Sequence, residues 1–413
     1  MPGLLQKKPL LFENLPWLQK IRNEGRESFA AQGVPGAKTE AWKYTKPRAL
    51  TADDFVMNVP AQVAPPPSEL PFPAYRLCFE NGVFDPSASS LPQGVEVLPL
   101  IEAVMNETAR PYLNRLGRNE DHPFLALNNA YLNEGIFIRI AKNVTLKKPL
   151  LLLNRTAAAG QNLFYNLRNL IVLEEGAAAD FIECYGYDGA AKSSYFGNFV
   201  NEIFLAPSSR LHHYKFQNEA FKAHHIALSL VQAESAAVYH NFCLQKGADI
   251  GRNEVRVKLC GENAAAEVNA AYLMSGWATL DTTTDIEHLA PCTFSEQLVK
   301  GVVNGDAKGV FQGRIHIAPH AVKTEGRQLH KALLLSDAAE IDVKPELEIF
   351  ADDVKCSHGA ASGELDEEQL FYMCQRGIGR EEAKQMLVDA YLDDVISKIP
   401  DAPIRDWFKS LVQ

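Results

Sequence analysis

No window of this 413-residue chain approaches the run of 18 or more apolar residues that a membrane-spanning helix needs, so no membrane partner is expected. It has no basic block with interleaved aromatics, and its net charge is −10; nucleic acid is therefore not an expected partner either. The pattern Gly-x-x-x-x-Gly-Lys-Ser/Thr is missing, so any ATP work must be done by another protein. The opening MPGLLQKKPLLFENLPW lacks the continuous apolar core of a secretory leader. Cysteines are few and scattered, at 78, 184, 243, 260, 292, 356 and 374, and no two form a Cys-x-x-Cys pair. That excludes a disulfide framework and reads as reduced thiols in the cytoplasm. What remains is ordinary globular composition in a chain long enough for two or three domains.

The chain divides into three parts. Residues 1–134 read as mainly helical. Pro16 to Gln32 forms a helix with Pro16 in the first turn and Gly33 at the stop, and shorter helices are expected near Leu98–Ala109 and Phe124–Leu132. Pro60 to Pro73 is a proline-rich stiff linker, and Tyr75 to Phe84 is a small hairpin turning at Asn81-Gly82. Thr39 to Thr45, TEAWKYT, is a compact aromatic and charged patch with no secondary-structure signal of its own.

Residues 135–364 alternate Val, Ile, Phe, Tyr and Leu with polar residues, and turn triplets precede the strand-like runs. Ala177, Ser209, Ala236, Ala264, Ala307 and Ala338 mark these triplets. Their steps are about 30 residues, the mark of a stacked solenoid. One longer step, from Ala264 to Ala307, predicts an insertion near Ala290-Pro291. With no helical period between the strands, a β-helix of two or more strands per coil fits best. Residues 365–413 are helical again. Asp366 opens the first helix, Gly377-Ile378-Gly379 breaks it, and a second helix carries Ala383, Met386, Leu387, Ala390, Tyr391 and Val395 as its apolar stripe. After Pro400, Asp401 caps a last short helix.

At the junction of the second and third parts stands Val354-Lys355-Cys356-Ser357-His358-Gly359. On an extended strand Cys356 and His358 share a face, roughly 7 Å apart. A thiolate and an imidazole can turn onto one zinc or iron ion. Two ligands leave a tetrahedral site half built, so spacing alone favours a buried thiol beside a satisfied histidine, and a metal site needs donors from elsewhere. The adjacent pairs His212-His213 and His224-His225 face opposite ways on strands and make poor sites. His316 and His320 read as turn histidines because Pro319 separates them. Cys184, Cys243, Cys260 and Cys292 read as small fillers of coil interiors. Asp352-Asp353 would face opposite sides of a strand, which weakens paired-carboxylate chemistry. A carbohydrate-active β-helix enzyme stays an alternative, though no acid cluster recurs at coil spacing.

The block Ile341 to Ile378, IDVKPELEIFADDVKCSHGAASGELDEEQLFYMCQRGI, together with Gln312 to Ser336, the motif EAWKYT and Phe124 to Gly135, resembles the SufB/SufD family of iron–sulfur cluster assembly scaffolds, its SufD branch more closely. The resemblance implies a right-handed parallel β-helix flanked by helical regions, and a non-enzymatic scaffold. It implies a complex with a SufB paralogue and the ABC-type ATPase SufC, with a reduced flavin loosely linked to the assembled complex. No residue pattern here shows a flavin site. Cys356 and His358 would then handle iron or a transient cluster at a SufB–SufD interface, and the lone chain is expected to be metal-free. Phe371, Tyr372, Arg376 and Gly377 sit where the resemblance places the ATPase contact, although local packing explains each of them equally well. The last coil of a β-helix exposes strand edges, so the isolated chain is expected to pair with itself.

Overall fold

The computed structural model describes residue 12 and residues 14–36, 38–47, 50, 55–57, 70–87, 89–92, 95–157, 162–187 and 194–413; most of the proline-rich segment from Pro60 lies outside these. Two sheets carry the molecule. The first contains β3 (Val95–Pro99), β4 (Glu134–Ile140), β6 (Leu163–Leu173), β8 (Tyr195–Leu205), β10 (Ala223–Ala233), β12 (Ile250–Leu259), β14 (Thr279–His288), β16 (Lys308–Ile317) and β18 (Glu340–Ile349). The second contains β1 (Tyr75–Glu80), β2 (Val83–Asp85), β5 (Leu150–Thr156), β7 (Ala178–Tyr187), β9 (Arg210–Asn218), β11 (Val238–Gln245), β13 (Ala265–Met274), β15 (Phe294–Val303), β17 (Thr324–Leu334) and β19 (Val354–Gly363).

From β4 onward the chain alternates sheets, and each strand pairs in parallel with the strand two steps later. The result is a flattened parallel β-solenoid of about seven turns with two strands per coil. Among the described residues only β1 with β2 and β3 with β4 pair antiparallel, at the first end. The hairpin at Asn81-Gly82 forms as its sequence predicts.

The repeat is more regular than its turn triplets suggest. Gly176, Ser208, Ala236, Asn263, Cys292 and Lys323 occupy the same corner of six successive coils, and every one has positive φ. Their amides bond along the stack, as from Ser208 N–H to the Ser235 carbonyl (2.9 Å) and from Cys292 N–H to the Val322 carbonyl (2.9 Å). Ala290-Pro291 is therefore no insertion: it leads into the regular corner. The triplets at Ala307 and Ala338 belong to the opposite corner, which produced the false long step.

The outer face of the first sheet is covered by the N-terminal helices α1 (Pro16–Gln32), α2 (Leu100–Met105) and α3 (Pro123–Ala130). Gly33 ends α1 at φ 70°, a left-handed position that suits glycine. TEAWKYT, unstructured by its sequence, is pinned as a strap across the later coils. Glu40–Trp42 forms one 3₁₀ turn, Trp42 is buried, and the Arg252 guanidinium lies 4.2 Å over its ring. Arg252 Nη1 donates to the Ala41 carbonyl (2.9 Å), Thr45 bonds Asp281, and Glu40 meets Lys344 of β18 (2.9 Å). Arg252 is itself buried between Glu254 and Asp281, so its charge is compensated where it is desolvated.

The C-terminal helices are α4 (Glu367–Gln375), α5 (Arg380–Ile396) and α6 (Ala402–Ser410). Asp366 and Asp401 cap α4 and α6 through their carboxylates; the cap was predicted for Asp401, while Asp366 was expected only to open its helix with favourable charge. The tail is not isolated. Val388, Leu392, Val395, Ile396, Ile404 and Phe408 pack on Tyr214, Phe242, Leu244 and Leu298 of the second sheet. The predicted stripe holds in part: Ala383 and Val395 are buried as expected, but sheet contact takes in Val388 and Leu392 while Met386 and Ala390 stay exposed. Lys300 Nζ fastens the helix by donating to the Tyr391 carbonyl (2.9 Å).

The solenoid interior is partly polar. Glu183, His213, Lys215, Glu219 and His225 are all buried inside the coils. Cys243 is an interior filler, but Cys184 faces outward beside the layer under α5 and α6, and Cys292 sits in a corner turn. Burial alone would raise the Glu183 carboxyl, but His213, Lys215 and the Tyr185 hydroxyl outweigh it and hold it at about 2. A depressed carboxyl stabilises the fold above its ordinary value of 4.5 and loses that contribution as pH falls toward about 2. Unfolding measured across that window should show stability falling by up to about 1.4 kcal/mol per pH unit from this group, and Glu183→Gln should flatten that part of the slope. An unchanged slope in the variant would refute the assignment.

Candidate functional site

The open end of the solenoid is built from β18 and β19, each paired on one side only. Pro345 sits mid-strand in β18, a position tolerated because the strand is an edge. β19 carries both residues singled out by spacing. Cys356 packs inward against the cluster of Ile315, Ile317 and Ala351, while Lys355 points out to Glu325 (3.1 Å). Strand alternation places His358 on the inward side with Cys356, and no further coil covers it, so its ring is exposed. Burial pushes the Cys356 thiol up, so a bare thiolate is disfavoured until a cation compensates it.

Among the described residues no three His, Cys, Asp or Glu side chains are grouped to hold a metal ion. Cys356 and His358 thus remain two donors facing the open end. Their softness suits iron or zinc. Asp352-Asp353 lie in the corner turn before β19, not on a strand, and the Asp353 carbonyl accepts from Lys323 N–H (2.6 Å). His316 is a strand residue of β16 bonded to Glu348 (3.1 Å), whereas His320 is in the turn as predicted. His212 and His213 do face opposite sides, the first toward Asp180 and the second toward Tyr239 inside the coil. The rim of the open end exposes Ile349 and Phe350.

Beyond β19, α4 stands clear of the sheet. Phe371 and Tyr372 are 63% and 59% exposed, and the Arg376 guanidinium lies 5.1 Å over the Tyr372 ring while donating to its hydroxyl (2.9 Å). Gly377 ends the helix at φ 89°, a conformation that favours glycine. One feature was missed by the sequence reading. A groove of about 660 Å³ runs between α5 and the corners at Gly247 and Gly276, with Phe221 and Trp277 on its wall exposed by 75% and 80%. Lone aromatics in loops carry no periodic signal.

Against known families, residues 155–391 match the SufBD core domain of the SUF system for FeS cluster assembly, and residues 6–152 match the SufBD protein N-terminal region. The chain belongs to the SufBD family. It is 32% identical to the iron–sulfur cluster assembly protein SufD of Escherichia coli, over 90% of this chain and 87% of that one. It is 29% identical to the SufBD family protein slr0076 of Synechocystis, over 92% and 87% of the two chains. The SufD of Bacillus subtilis is 25% identical over 71% of this chain and 67% of its own. The SufBD core match spans the strap-bearing coils, both edge strands, Cys356, His358 and α4. It stops within α5, so α6 lies beyond it.

Proposed function

We propose that this SufD-like chain is a scaffold subunit that builds nascent iron–sulfur clusters together with a SufB paralogue and the ATPase SufC. The observation that carries the reading is the open end: two metal donors, a thiol and an imidazole, sit on a terminal strand with a free edge. Such a half-site suits an interface at which a second chain supplies the other ligands to iron as cargo. The free edges of β18 and β19 and the apolar rim support pairing there, with the paralogue in the complex and with a second copy when the chain is alone. The exposed α4 surface, with two aromatics and an arginine, supports ATPase docking on the far side of the terminal strand.

Co-expression with a SufB paralogue and an ABC-type ATPase tests this. The three chains should co-purify through a tag on this one, and the self-paired form should be displaced when the paralogue is present. A chain that stays alone or self-paired in the presence of both would overturn the reading.

A further inference from the structure

β17 lies next to β19, and its Gln328 is the register partner of His358. Gln328 is only 3% exposed. Its amide nitrogen donates to Gln297 Oε1 (3.3 Å), and that same oxygen accepts from the Thr284 hydroxyl. Across the coil, Gly313 of β16 leaves room for this amide, since a Cβ there would stand 2.1 Å from Gln328 Nε2. The amide fills that space with its nitrogen on Gln297, whose own Nε2 has no hydrogen-bond partner. The Gln328 oxygen is likewise left over, buried and without a hydrogen-bond partner. A buried acceptor in that state is costly and rare in native structures.

The residue beside it on the same inward face is His358, whose imidazole has an N–H to give. We propose that Gln328 is the positioning residue of the half-site. Its Oε1 accepts one imidazole N–H of His358, which fixes the tautomer and turns the other ring nitrogen toward the iron that Cys356 and His358 share. A ligating histidine almost always donates its second N–H to such an acceptor, and removing the acceptor costs 10–100-fold in metal affinity. Thr284, Gln297 and Gln328 then form a rigid polar relay from the middle of the solenoid to its open end. The inference rests on the half-site reading, and the experiment separates the two.

The test compares wild type, Gln328→Leu and Gln328→Glu. Leu keeps the bulk and removes the acceptor; Glu keeps an acceptor oxygen. Ring ¹⁵N shifts of His358 in the assembled complex, where the half-site is completed, should show one dominant tautomer in the wild type and a mixture in Gln328→Leu. Iron(II) titrated anaerobically into the assembled complex should bind at least about 10-fold more weakly to Gln328→Leu, with most of the affinity recovered in Gln328→Glu. Melting temperatures identify any loss of folding, and the Glu rescue decides the case even if Leu destabilises. A Gln328→Leu chain with the wild-type tautomer and iron affinity would overturn the proposal, as would a Glu variant no better than Leu. If Cys356→Ala leaves iron binding intact, the half-site reading fails while the tautomer comparison still judges the Gln328–His358 contact.

Discussion

Replacing Cys356 by Ala should cut cluster formation on the complex of this chain, its SufB paralogue and the ATPase to background, with the complex itself intact. The expectation follows from geometry and donor chemistry. Cys356 is the only thiol on the terminal strand, and its neighbours Ile315, Ile317 and Leu347 are apolar, so no nearby group can replace a sulfur ligand. Its half-buried side chain costs little to truncate, because the last coil is still open on one side. Assembly and ligation are thereby separable. The measurement is anaerobic reconstitution with iron and sulfide, read by visible absorbance and by iron per complex. His358→Ala should reduce yield in the same assay with less complete loss, since water or a partner's donor can stand in for an imidazole more readily than for a thiolate. Wild-type yield from the Cys356→Ala complex would end the ligand assignment.

The solenoid was legible because strand-like runs of alternating apolar and polar residues, each entered through a turn, recur at a step of about 30 residues. The register was not, because the residues that mark each corner differ chemically. Gly176, Ser208, Ala236, Asn263, Cys292 and Lys323 share one left-handed conformation, yet only one is glycine. The conformation is imposed by the stacked amides along the corner, so side-chain identity carries little of the information. A similar limit hid the strap. Nothing local in TEAWKYT specifies structure; its order comes from Arg252, Asp281 and Lys344, which are more than 200 residues away in sequence. The start of each tail helix, by contrast, was readable because Asp366 and Asp401 act locally, on amides two or three residues on. For the site, alternation along one strand sufficed to pair Cys356 with His358. Gln328 belongs to a neighbouring coil, and only the register exposes it.

The same packing decides how ATPase docking must be tested. Removing residues 366–413 would also strip α5 and α6 from the second sheet and expose Tyr214, Phe242, Leu244 and Leu298 together. A chain with that much apolar surface uncovered would aggregate, and lost binding would say nothing about contact. The test is instead made on α4, where Phe371 and Tyr372 project into solvent and little of the fold depends on them. Phe371→Glu with Tyr372→Glu should therefore leave the melting temperature within a few degrees of wild type. ATPase affinity, measured by calorimetry, should fall about 100-fold, corresponding to roughly 1.4 kcal/mol for each aromatic anchor lost. Arg376→Ala should weaken binding less, because its guanidinium mainly holds the Tyr372 ring in place. Pairing with the SufB paralogue should not change, since α4 is separate from the free edges of β18 and β19. Undiminished ATPase affinity in the double variant would move the contact off α4, and the groove walled by Phe221 and Trp277 would be the next surface to probe.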